Sequence, residues 1–321
     1  MAVTRRFVVG TGRCGSTLLS RMLAQHPEVL GLFEFFNGLD WGRRFAAGAV
    51  GGREFWSIVA QPNEVTDQAL ARGWNSDEIA YPFLPGSRFQ RGDAIPWILI
   101  ATLPRLTDDH DALFDELASE VSAWASAPLA DHYERLFATL GARCGRPRWI
   151  ERAGSSIDYM GELHALYPDA RFVHIHRDGR EAALSIRAHP FFRLAVNAMF
   201  GLVPEAREGE DVISLMLESE PPVEIYGRFW TDQLCRGFRA AARMDPAQYL
   251  EVRFEDLVTD PVPVMTAIGR FFGLPDRDEW IAHAAALVRG VPPTRFASLG
   301  PEDRAVLTNA VRPGQILLGR S

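Results

Sequence analysis

The segment that most constrains this chain is Gly10-Thr-Gly-Arg-Cys-Gly-Ser-Thr17. It follows a short apolar run that ends Phe7-Val8-Val9. It precedes Leu18, Leu19, Met22 and Leu23 at helical spacing, a pattern that His26-Pro27 ends. The order is strand, glycine-rich turn, helix. The turn fits two templates. It contains G-x-G-x-x-G, the dinucleotide fingerprint, and G-x-x-x-x-G followed by Ser16-Thr17, a P-loop whose Lys is replaced by Ser. Both gather backbone N–H groups and a helix N-terminus around a phosphate. Arg13 inside the loop and two hydroxyls at the helix start suit a terminal phosphate from which a charged group leaves. The missing Lys argues against ordinary ATP or GTP hydrolysis, because that Lys holds the β- and γ-phosphates. The plainer reading is that three glycines only make a tight turn.

Strand-then-helix patterning recurs. Residues 148–151, 171–176 and 249–254 read as strands, and 179–187 and 261–272 as helices, the last stopped by Gly273. Ser155 or Ser156 can cap a helix with Ile157, Met160, Leu163 and Leu166 on its apolar face, stopped by Pro168. The pattern implies an α/β fold, a P-loop-like parallel sheet flanked by helices. Residues 38–104 are rich in Gly, Pro and Trp with weak periodicity. Residues 108–141 read as two helices broken by Pro128, 191–203 as a strongly apolar stretch, and 222–244 as one long helix. The expectation is a single domain over 1–321, with helical insertions at 38–148 and 190–248.

Composition narrows the partners. The net charge of −7 argues against broad nucleic-acid or anionic-membrane binding. All 34 cations are arginines, so no Schiff-base lysine exists and any anion site uses the planar guanidinium fork. Cys14, Cys144 and Cys235 are too few and too scattered for a disulfide framework or a zinc site. No signal-peptide pattern is present, and the longest apolar stretch, 94–103, contains Pro96. A cytoplasmic protein with no metal is expected.

A second basic segment, Phe172-Val-His-Ile-His-Arg-Asp-Gly-Arg-Glu-Ala-Ala-Leu-Ser185, is again strand, turn, helix. Arg177 leaves the strand and Ser185 follows eight residues later, so both can converge on one anion; a solvated turn with an Arg180–Glu181 surface pair is the alternative. Two phosphate sites in one chain resemble the sulfotransferases that use 3′-phosphoadenosine-5′-phosphosulfate (PAPS). Arg13-Cys-Gly-Ser-Thr17 is similar to that family's 5′-phosphosulfate loop, and Arg177 and Ser185 fall on its 3′-phosphate pair. Phe254-Glu-Asp-Leu-Val-Thr-Asp-Pro261 resembles its Tyr-Glu-Asp-Leu segment. Thr294-Arg-Phe296, followed by Leu299-Gly-Pro-Glu302, resembles the C-terminal basic–aromatic element that completes the 3′ pocket. Two departures stand out: Cys14 replaces the usual Ser, and Phe296 the usual Trp.

Within the family the chain is most similar to the bacterial and tyrosylprotein-type branch, in which His-Pro after the loop helix leads to a glutamate. Here His26-Pro27 leads to Glu34. The resemblance implies that Glu34 is the general base; its setting in Leu32-Phe33-Glu34-Phe35-Phe36 would raise its pKa. The alternative for Glu34 is a Glu capping the next helix; His26 reads as a turn residue rather than a base. The resemblance also implies that Arg152 stabilises charge at the sulfuryl group, against a plain ion pair with Glu151 or another surface acid. It places Arg13, Cys14, Gly15, Ser16, Thr17, Arg177, Ser185, Arg253 and Arg295 around PAPS as co-substrate.

The expected reaction is sulfuryl transfer to a hydroxyl. Trp41, Phe45, Phe55, Trp56, Trp74, Trp97, Phe191 and Phe192 suggest an apolar or aromatic acceptor (a small molecule, lipid or glycolipid), or else ordinary core and lid packing. A homodimer is compatible with the sequence. Two other classes stay open: a P-loop kinase of a small metabolite, and a non-catalytic nucleotide-binding protein.

Overall fold

The computed structural model describes residues 4–276 and 278–320. The apolar run before the glycine turn forms β1 (Arg6–Val9), and all four of its residues are buried. β2 (Val29–Phe33) follows the first helix. A separate antiparallel pair, β3 (Ala49–Val50) and β4 (Ala127–Pro128), lies among the helices. β5 (Arg148–Arg152), β6 (Arg171–His176) and β7 (Tyr249–Arg253) complete a five-stranded sheet of order β2-β5-β1-β6-β7. Every pairing in it is parallel, as the strand–helix alternation implies.

Side chains alternate across the sheet and feed two apolar cores. Phe7, Leu30, Leu32, Trp149 and Phe172 face one. It includes Phe55, Leu117, Tyr133 and Phe137 from helices Gly52–Val59, His110–Ser122 and Leu129–Arg143. Val8, Ile150, Val173, Ile175 and Val252 face the other. There they meet Leu19 and Met22 of helix Ser16–Leu23 and Ile268 of helix Pro261–Phe272. Burying one such side chain contributes about 1.5–3 kcal/mol, so the central strands are strongly anchored. A third cluster around Trp230 joins helices Gly179–Arg187, Val223–Ala241 and Pro301–Leu317.

Several expectations shift. β2 was not read from the sequence; it pairs with β5 over five residues. The strand expected at 249–254 ends at Arg253, and Phe254 opens a helix to Thr259. Ser155 holds the N-cap position of a 3₁₀ turn without a side-chain cap hydrogen bond, and neither serine caps the α-helix. The Ser156 hydroxyl donates to the carbonyls of Ala153 and Val8, and a 3₁₀ turn, Ser156–Tyr159, precedes helix Met160–Leu166. The long helix is Val223–Ala241 rather than 222–244. Residues 38–104 contain short helices, Gly52–Val59, Glu64–Ala71 and Trp97–Ala101.

Candidate active site

Each strand of the parallel sheet delivers a candidate residue at its carboxyl end. β1 runs into the glycine turn, β2 into Glu34 and β6 into Arg177; β5 ends on Arg152 and β7 on Arg253. Parallel α/β sheets bind ligands at this edge. The turn approaches its neighbours so closely that a Cβ has no room. At Gly15, φ is 94° and a Cβ would lie 2.1 Å from the Phe254 ring. At Gly12, φ is 78° and a Cβ would lie 2.4 Å from Phe192. Arg13 takes a positive φ of 53° without being glycine, which marks a backbone held by its surroundings.

Arg152 joins the turn to Glu34. Its Nε and Nη2 donate to Ser16 Oγ at 3.0 and 2.7 Å, and Nη2 also donates to Thr17 Oγ1 at 2.5 Å. Its Nη1 forms an ion pair with Glu34 Oε1. Both side chains are almost wholly buried, 5 % and 2 % exposed. The alternative, a pairing of Arg152 with Glu151, is not what the structure holds. Glu151 points to the opposite face and accepts a long hydrogen bond from Phe36 N, 3.5 Å away.

Glu34 is fixed from every side and does not cap a helix. Its φ is 52°. Its N–H donates to Arg152 O at 2.7 Å, its Oε2 accepts from Gly154 N at 2.9 Å, and its carbonyl accepts from Trp97 Nε1 at 2.6 Å. Burial pushes its carboxyl above the ordinary range, Arg152 opposes this, and the charge of Glu78 adds to it. His26 is a turn residue: its Nδ1 accepts from Glu28 N.

In the helix after β6, Ser185 accepts a 3.3 Å hydrogen bond from Arg13 Nε, which links it to the glycine turn. Arg177 is buried, with its guanidinium 5.0 Å from the centre of the Phe254 ring and 3.8 Å from Glu181. Arg180 pairs with Asp178, not with Glu181. Glu181 instead accepts from the N–H groups of Arg295 and Phe296, tying the 294–296 segment beside Arg177. The ring of Phe296 lies under Arg180 at 4.8 Å. The side chains of Arg253 and Arg295 are exposed. Burial lowers the pKa of Arg177. A desolvated guanidinium whose one ion pair is long, with the charges of Glu255 and Asp178 farther off, is a natural anion receptor.

Cys14 is wholly buried in the core with Leu19 and Ile175, its Sγ packed against Gly10, so only its amide can serve a ligand. Beside Glu34 opens a cavity of about 530 Å³. Ile79, Trp97, Phe191, Phe192 and Phe229 give it apolar walls, and Glu78, Asp158, His189 and Arg236 are its charged or titratable groups besides Glu34. Glu78 and His189 were not singled out from sequence. They lie in segments without periodicity, and only their shared place in the cavity reveals them. A polar cleft of about 630 Å³ lies elsewhere, along the outer edge of β2 between Arg105 and Arg146. Among the described residues no group of His, Cys, Asp and Glu is placed to hold a metal, and no helix is long and apolar enough to cross a membrane.

The Sulfotransferase family model matches residues 99–278, more than half of the chain. The chain belongs to the sulfotransferase family. Among solved structures it is similar to sulfotransferase STF9 from Mycobacterium avium, at 18 % identity and TM-score 0.50, covering 100 % of this chain and 78 % of that one. Sulfotransferase from Alicyclobacillus acidocaldarius aligns at 18 % identity and TM-score 0.46, covering 100 % and 98 %. Mouse sulfotransferase SULT7A1, complexed with PAP, aligns at 11 % identity and TM-score 0.45, covering 100 % and 90 %. No match is found among curated protein sequences.

Proposed function

We propose that this sulfotransferase moves a sulfuryl group from PAPS to the hydroxyl of an apolar or aromatic acceptor. The observation that carries the reading is the Arg152 guanidinium. It bonds both hydroxyls of the anion-type turn and the one buried carboxylate beside the cavity, so donor site and base share a single bonded network.

The 5′ end of the nucleotide lies in the turn, on the amides of Cys14 and Gly15 and on Ser16 and Thr17, with Arg13 over the sulfuryl oxygens. The 3′-phosphate takes Arg177, with Ser185, Arg253 and Arg295 around it. The acceptor lies in the cavity, which draws most of its wall from residues 38–148 and 190–248 of the one domain. The acceptor oxygen attacks sulfur while the sulfur–phosphate oxygen bond breaks in line. The hydroxyl proton passes to Glu34, and adenosine 3′,5′-bisphosphate leaves with the bond's electron pair. Charge accumulates on the sulfuryl and bridging oxygens, where Arg13 and Arg152 stand as preorganised cations. Burial makes Glu34 a stronger base than a solvated carboxylate.

Calorimetry tests the donor. Adenosine 3′,5′-bisphosphate should bind about 10–150-fold more tightly than 5′-AMP, the value of one charge-assisted contact of about 1.5–3 kcal/mol. Arg177→Ala should erase the preference with the circular-dichroism spectrum unchanged. Equal binding of both nucleotides by the parent protein, or tighter binding of ATP, refutes the reading.

A further inference from the structure

The turn that carries Arg177 is tied to a residue far from it in sequence. Helix Pro301–Leu317 packs Leu307 and Val311 into the cluster around Trp230. Gly319, with a φ of 63°, then turns the chain back. Gly319 N donates to Ile316 O and Arg320 N to Gln315 O, the paired bonds of a Schellman cap. The reversed chain brings the Arg320 side chain to the ends of β6 and β7, where it bonds His176 and Glu255.

Arg320 meets Glu255 as a planar fork: Nη1 donates to Oε1 at 3.2 Å and Nη2 to Oε2 at 2.8 Å. The same Oε1 accepts from the N–H of Asp178, the residue after Arg177, at 2.9 Å. Nη2 also donates to Nδ1 of His176, the residue before Arg177, at 3.1 Å. Burial, and then the Arg320 charge, lower His176 to about 4, so at neutral pH its ring is an uncharged acceptor. The chain is thus tied on both sides of Arg177, while Phe254, next to Glu255, packs against its guanidinium. Burial alone would raise the Glu255 carboxyl. The bonds from Arg320 and from Asp178 N outweigh it and hold the group below its ordinary range, as a carboxylate.

That charge bears on any anion at Arg177. Glu255 acts on Arg177 electrostatically, and without a cation of its own it would draw on Arg177 and repel a phosphate there. We propose that Arg320 is a positioning residue for the 3′-phosphate: it orients and neutralises Glu255, so that the Arg177 turn is fixed and the Glu255 charge does not oppose the phosphate. The inference rests on the donor site proposed above.

Calorimetry with adenosine 3′,5′-bisphosphate and 5′-AMP tests the two parts separately. The parent protein's preference for the bisphosphate reads the donor site; if it is absent, the donor reading has failed and this proposal falls with it. In Arg320→Ala the bisphosphate should bind about tenfold more weakly, while 5′-AMP, which lacks the 3′ group, stays within about twofold. Glu255→Gln keeps an acceptor for Asp178 N and should hold the preference within about threefold. In that background Arg320→Ala should change bisphosphate affinity by no more than about twofold, because the charge it neutralises is gone. An undiminished preference in Arg320→Ala overturns the proposal. So does equal weakening of both nucleotides, which marks a general loss of structure. A preference lost in Glu255→Gln alone overturns it too. A loss of about tenfold on Arg320→Ala that persists beside Glu255→Gln does the same, by showing that Arg320 touches the phosphate itself.

Discussion

Two arginine–carboxylate pairs flank the glycine turn, and they are held by different means. Arg152 and Glu34 sit at the ends of adjacent strands, β5 and β2, both almost fully buried, with backbone hydrogen bonds fixing the carboxylate. Arg13 and Glu78 come from a turn and a loop, stay partly exposed, and face each other at 3.6 Å. The first pair is a fixed fitting whose members cannot part without stranding a buried charge. The second is exchangeable, because solvent already screens it and little is lost when one member leaves. A transfer site needs both kinds: rigid geometry at the reacting atoms and a cation free to follow the incoming anion.

The two alanine variants should separate the pairs most sharply. Arg152→Ala leaves Glu34 buried and unpaired, and should cost about 3–5 kcal/mol of stability along with transfer activity. Arg13→Ala should stay within about 1 kcal/mol of the parent in urea unfolding while losing nucleotide affinity. Similar stability losses in both would dissolve the distinction.

Glu34→Gln keeps the shape of the buried pair and removes the base. With Arg152 still bonded to Ser16 and Thr17, nucleotide affinity should hold within a few-fold while kcat falls about 10²–10⁴-fold. A generic phenol with radiolabelled PAPS serves as the assay. A variant with near-parental kcat would place the base elsewhere in the cavity.

The smallest effect belongs to Glu151, behind Glu34 on the buried side. Burial, reinforced by the Glu34 charge, pushes its carboxyl from 4.5 up to about 8. The native state therefore keeps a proton that the unfolded chain gives up near pH 4.5. Stability from this group is full below that point and declines as pH rises towards 8. Glu151→Gln cannot ionise, so its Tm should lack that part of the decline and exceed the parent's at pH 8. Parallel Tm curves from pH 5 to 9 would show that Glu151 does not carry the slope. The partly exposed Arg13–Glu78 pair should leave no comparable trace between pH 5 and 9.

The sequence by itself determined the strand–turn–helix units. Their helices close local hydrogen bonds, their strands show as short apolar runs before a glycine turn, and few residues other than glycine tolerate the backbone angles of Gly12 and Gly15. It also determined the helices Gly179–Arg187 and Pro261–Phe272, whose apolar periodicity and end signals lie within a few residues of each other. Glu34 and Arg152 were legible through a family likeness; no local pattern around either announces the other. β2 escaped because its five residues are an apolar run too short to tell strand from helix, broken by Gly31, and its pairing with β5 is what makes it a strand. Tertiary structure alone decided that Cys14 turns inward, that Ser185 meets Arg13, and that Glu78 and His189 face each other from segments 111 residues apart. Those contacts depend on how distant segments close over the sheet, and nothing in the residues adjacent to each one records its partner.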